Sequence, residues 1–97
     1  MYRVIDGNDT GKTRKLLTEC GKHYNALFVC AHPQRVPAKC KAYGIPIVKA
    51  ISYEDYLQHL IDTGFNDLHT RAVFIDELEK FVKVCIPYLQ GYTLTNE

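Results

Sequence analysis

Two short apolar runs constrain this chain more than any other feature. Residues 26–30 read Ala-Leu-Phe-Val-Cys and residues 72–75 read Ala-Val-Phe-Ile, with no polar side chain interleaved. A strand with one wet face alternates apolar and polar residues. An unbroken apolar run instead marks a strand covered on both faces. Helical patterns lie around these runs. Residues 12–22 carry Leu16, Leu17 and Cys20 at helical spacing, with Gly21 where a helix would stop. A second helical piece follows Pro33 and Pro37 and ends near Gly44. Residues 45–51, interrupted by Pro46, read as a short strand near a sheet edge.

Ser52 stands where an N-cap belongs, with Asp55 three residues on, close to a capping box. Tyr53, Tyr56, Leu57, Leu60 and Ile61 form the apolar stripe of the helix it opens. Residues 63–70 are polar and read as a loop, and residues 78–88 are helical until Pro87. Residues 2–6 and 92–95 are β-prone and short. Strands alternating with helices predict an α/β fold in three layers, with a mostly parallel sheet of about four to five strands.

Composition narrows the function classes. The 97 residues fit a single domain, 1–97, without linker or repeat. Twelve basic and eleven acidic residues give a net charge of +1, which argues against a broad basic face for nucleic acid. No apolar run approaches the ~20 residues that cross a bilayer, and the first residues lack the charged-then-apolar pattern of a signal peptide. The expectation is a cytoplasmic protein without membrane contact. Cys20, Cys30, Cys40 and Cys85 contain no C-x-x-C pair and read as reduced, mostly buried thiols. His23, His32, His59 and His69 lack metal-binding spacing.

Chemistry concentrates in two segments. The first is Asp6-Gly7-Asn8-Asp9-Thr10-Gly11-Lys12-Thr13, followed by Arg14, between a strand-like run and a helical one. Backbone N–H groups of such a loop, and of the helix N-terminus behind it, can wrap phosphate oxygens. A lysine there reaches the outer phosphates and a threonine hydroxyl meets Mg²⁺. The second is Ala72-Val73-Phe74-Ile75-Asp76-Glu77, an apolar strand delivering two acids at its C-terminal end. In a parallel sheet both strand ends open on one edge, where ligands bind. Without the first segment, the second would read as a buried strand before an acid-rich helix start.

The first segment resembles the Walker A motif of P-loop NTPases, with Asp6 in place of the usual first glycine and Gly7 following it, a variation tolerated among helicase-type members. The second resembles Walker B. The resemblance implies a Mg²⁺-dependent nucleoside triphosphate site, with ATP the expected nucleotide. It assigns Gly7, Asn8, Asp9, Thr10, Gly11, Lys12, Thr13 and Arg14 to the nucleotide, and Thr13 and Asp76 to Mg²⁺. Lys12 and Glu77 become the catalytic residues, Glu77 activating water. Residues 92–96 resemble the strand that ends in a polar sensor residue in the additional-strand P-loop ATPases, which would be Asn96 here. Residues 50–57 resemble a segment of superfamily 1 helicases that helps contact single-stranded DNA. The whole is similar to a minimal helicase-like core of the kind found in small phage and prophage proteins, whose setting would be the host cytoplasm.

That reading carries slow ATP hydrolysis and a protein partner or homo-oligomer that completes the machine. The alternative is a non-hydrolysing interaction module that uses the fold as scaffold and docks on host machinery. Asp9, an acid beside the phosphates, and the short chain motivate it. A third reading is a DNA-associated ATPase subunit acting as an oligomer. Arg14, Arg35 and Arg71 are candidates for a charge donated between subunits. Cys30 with His32, at a strand end, forms a nucleophile–base pattern, though a buried cysteine beside a loop histidine explains it equally.

Overall fold

The computed structural model describes residues 1–5 and 11–95. Three parallel strands form one sheet: β1 (Ala26–Cys30), β2 (Lys49–Ser52) and β3 (Ala72–Ile75) in the order β2-β1-β3. Phe28 lies level with Ala50 on one side and Phe74 on the other, and Val29 with Ile51 and Ile75. β1 is thus paired along both edges, and Leu27, Phe28, Val29 and Cys30 are all buried. This is why its sequence carries no polar residue. The chain is α/β, as its alternation of patterns predicts.

Four helices surround the sheet: α1 (Lys12–Cys20), α2 (Val36–Tyr43), α3 (Tyr53–Asp62) and α4 (Leu78–Cys85). Leu17 and Cys20 of α1 and Val36 and Cys40 of α2 pack with Phe28, Cys30 and Phe74 into one core. Each large apolar side chain buried there contributes roughly 1.5–3 kcal/mol. Leu27 and Val29 point to the opposite face by strand alternation, where α3 lies against β1 and β2. Rings tie α3 to α4, with Phe81 5.9 Å from both Tyr53 and Tyr56 between centroids.

Local signals set the helix ends. Ser52 Oγ accepts the Asp55 amide at 3.1 Å and caps α3. Gly44 ends α2 at φ 67°, a left-handed turn that glycine adopts without steric cost. α1 stops at Cys20, the last of its periodic apolar residues, with Gly21 as its C-cap and a run of turns after it. α4 ends at Cys85, two residues before Pro87. β2 begins only at Lys49: Pro46 has no N–H to donate to a ladder, and the Ile45 amide is spent on the Cys40 carbonyl in closing the end of α2. Cys20, Cys30 and Cys40 are buried free thiols, whereas Cys85 is exposed.

Two β-prone segments take no part in the sheet: residues 2–5 and 92–95 pair with nothing as strands. Tyr2, Ile5, Tyr92 and Leu94 leave their side chains in water, so edge pairing gains them no burial to offset the ordering of the backbone. The outer edge of β3 therefore has no strand partner among the described residues, and Val73 is 40% exposed. Among the described residues, no helix is long and apolar enough to cross a membrane.

Candidate functional site

The C-terminal ends of β1 and β3 face the start of α1, and four side chains from the two motif segments meet there. Gly11 takes φ 76° before α1, a conformation open to glycine and strained for most other residues. Its carbonyl accepts the Lys15 amide at 3.0 Å, starting the helix without a side-chain cap. An uncapped helix start presents amide donors and partial positive charge.

Thr13 Oγ1 donates to the Asp76 carboxylate and lies 3.3 Å and 3.2 Å from its two oxygens. Lys12 Nζ lies 3.3 Å from Glu77 Oε1, with side chains 27% and 40% exposed. An ion pair that wet is worth at most about 1 kcal/mol. These contacts therefore report position more than stability. They join residues 63 and 65 apart in sequence.

The backbone of Asp76 is held at both ends. Its N–H donates to the Val29 carbonyl at 2.9 Å, extending the sheet one step, and its C=O accepts the Tyr53 hydroxyl. Glu77 then turns to φ 58° and ψ 67° and opens α4. A left-handed residue with a Cβ costs about 1–2 kcal/mol, and such strain gathers at sites where geometry matters more than stability.

Electrostatics separate the two acids' neighbours. Burial pushes the Asp76 carboxyl above its ordinary value; the Thr13 hydrogen bond opposes this, the Glu77 charge adds to it, and Lys39 and Lys12 oppose it. Burial likewise raises the Tyr53 phenol to about 12, with Asp76 the next contributor. The Cys30 thiol is raised too, by burial first. A thiol so disfavoured as thiolate is a poor nucleophile, and His32 beside it is exposed, so that pair reads as structural.

The residues present suit Mg²⁺ shared with a phosphate. Among the described residues no three His, Cys, Asp or Glu side chains cluster as an all-protein cage requires. Mg²⁺ bound with nucleotides uses only one or two carboxylates and completes its shell with water and phosphate. Asp76, half-buried and disfavoured as a bare anion, and the Thr13 hydroxyl offer one carboxylate and one hydroxyl of the kind such a shell takes.

Lys12, Thr13, Asp76 and Glu77 thus come together, with Gly11 at the turn before them. Arg14 stands apart from the acids, its guanidinium 5.2 Å from the centroid of the Tyr43 ring. Gly7, Asn8, Asp9, Thr10 and Asn96 lie outside the described residues. Two contributors escape a reading by motif: the Tyr53 hydroxyl and the Lys39 charge. Apolar periodicity places Tyr53 inside, correctly, but says nothing of what its hydroxyl meets. A cavity of about 160 Å³ lies at the other ends of the strands, lined by Asn25, Lys49, His69 and Thr70 among others, and includes no motif residue. Compared with protein-family models, curated proteins and solved structures, the chain matches none of them.

Proposed function

We propose that this chain is a P-loop-type domain that binds a Mg²⁺–nucleoside triphosphate, ATP in the first instance, and hydrolyses it slowly. The observation that carries the reading is the meeting of Lys12 and Thr13 with Glu77 and Asp76 at the C-terminal edge of a parallel sheet. Sequence resemblance concerned two separate segments; their convergence on one point is independent support.

Each residue's part follows from its chemistry. Lys12 exchanges its exposed pairing with Glu77 for the outer phosphates, as a charge-assisted contact. Asp76 and Thr13 hold Mg²⁺, which when bound offsets phosphate charge. Freed from Lys12, the Glu77 carboxylate is available to take a proton from water. Arg14, two residues beyond Lys12, is stacked on Tyr43 in the free protein and would leave that ring to contact the nucleotide. Hydrolysis that saturates with ATP and disappears in Glu77→Gln, with binding retained, supports this assignment; binding without any turnover limits the chain to nucleotide binding.

A second reading, an interaction module, draws on a different observation. Leu78, Ile86 and Tyr88, on and just beyond α4, are all more than half exposed, and exposed apolar side chains suit a protein partner or a second copy. Size-exclusion chromatography with light scattering distinguishes the two forms of it: a dimer points to self-association, a monomer to a separate partner.

A further inference from the structure

The tyrosine that opens α3 does more than fill the core. β2 ends at Ser52, level with Cys30 of β1, so Tyr53 stands one residue past the strand ends, beside the acids delivered by β3. The Ser52 cap fixes this start of α3. The Tyr53 side chain is only 4% exposed, and its hydroxyl donates to the backbone carbonyl of Asp76. That carbonyl belongs to the peptide plane joining Asp76 to Glu77. With the Asp76 N–H held by Val29 on the other side, the residue is gripped at both backbone groups.

The left-handed turn follows immediately, at Glu77. No glycine stands there to make that turn inexpensive, so neighbouring contacts must impose it. The Tyr53 hydrogen bond holds the preceding plane, and the Lys80 and Phe81 amides bond back to the Glu77 carbonyl at 2.9 Å and 3.3 Å. The result is a Glu77 carboxylate aimed across the edge at Lys12 rather than outward along α4. We infer that Tyr53 is a positioning residue for the Asp76–Glu77 pair: its hydroxyl locks the peptide plane that turns Glu77 toward the start of α1. The inference rests on the nucleotide reading for its catalytic consequence, and on the free protein alone for its geometry.

Tyr53→Phe removes the hydroxyl and keeps the ring against Phe81. Phe81→Leu removes the ring contact and keeps the hydroxyl. Carbon-13 and nitrogen-15 NMR of the free proteins reads the Asp76 carbonyl and the Glu77 Cα, and steady-state kinetics with calorimetry reads kcat, KM and Kd for Mg²⁺–ATP. The expected result for Tyr53→Phe is a displaced Asp76 carbonyl resonance, a Glu77 Cα moving away from left-handed values, and kcat lower by on the order of tenfold or more. KM and Kd stay within about twofold, as for an interaction that matters only to the reacting geometry. Phe81→Leu is expected to melt earlier and keep its kcat.

Unchanged resonances at residues 76 and 77 in Tyr53→Phe overturn the inference, whatever the enzyme does. Equal losses of kcat in the two variants also overturn it, because packing then explains both. A wild-type protein that does not bind Mg²⁺–ATP overturns the nucleotide reading and the catalytic role together. If the wild type binds nucleotide without turnover, the resonances alone decide.

Discussion

Asp67 and Asp76 each gather partners around one carboxyl-bearing residue, yet their surroundings move them in opposite directions. Asp67 is served locally. Its oxygens accept from the Thr70 hydroxyl, from the His69 and Thr70 amides, and meet His59 Nε2 at 2.8 Å, all within eight residues. These bonds, the Thr70 hydroxyl and His59 first, hold its carboxyl well below the usual range. Asp76 receives on its carboxylate the Thr13 hydroxyl from far along the chain, and burial drives it above the usual range. A fully bonded acid closes a loop. A desolvated acid with spare acceptor capacity is one that a cation would improve, and perturbed acids of that kind gather at functional sites.

The difference is sharpest in what each acid does to stability. Asp76, raised in the folded state, favours folding below the unfolded aspartate value of about 3.9; that contribution is lost as pH rises through its higher folded value. Asp67, lowered, contributes stability above about 3.9 that is lost as pH falls toward its folded value. Asp76→Asn is therefore expected to raise Tm at pH 7 while weakening Mg²⁺–ATP binding by about a hundredfold, since a metal ligand goes with it. A thermal melt beside a calorimetric titration checks both halves, and a lower Tm would break the contrast.

Glu77→Gln removes the acid that occupies Lys12. Turnover is expected to fall about a hundredfold or more, while ATP binding tightens by up to about fivefold, the equivalent of an exposed pair of at most ~1 kcal/mol. Weaker binding in this variant would mean that Glu77 helps to hold the nucleotide, not that it competes for Lys12. Asp67→Asn should leave ATP affinity within about twofold and lower Tm at pH 7, with the gap to wild type closing in acid. Faster proteolysis across residues 63–71 would accompany it. Ser52→Ala, which uncaps α3 beneath Tyr53, should cost about 1 kcal/mol in a denaturant titration.

Much of this was legible in the sequence, for reasons that can be named. Ala26–Cys30 announced itself because a strand buried on both faces cannot carry polar residues, and Ala72–Ile75 by the same unbroken apolar run, although β3 buries only Phe74 and leaves Val73 exposed. Ser52 with Asp55 three residues on identified a helix start that the structure caps through that same pair. The short distance from each motif to a strand end or helix start placed Lys12, Thr13, Asp76 and Glu77 on one edge once the sheet was parallel. Residues 2–5 and 92–95 form no strand among the described residues, because β-propensity measures fitness for a sheet, not whether an edge will accept the segment. The turn at Glu77 was invisible, as no glycine marks it. The Tyr53–Asp76 bond joins residues 23 apart, and no spacing rule reaches that far between a side chain and a carbonyl.

The contrast between the two aspartates has force only if the edge at Asp76 binds a phosphate-bearing ligand. Calorimetric titration of the wild type and Lys12→Ala with Mg²⁺–ATP tests that most directly. One saturable site with Kd below about 1 mM is expected, weakened by tenfold to about a hundredfold in Lys12→Ala, the range for losing a charge-assisted contact. No binding by the wild type at millimolar ATP, or equal binding by the two proteins, would contradict it.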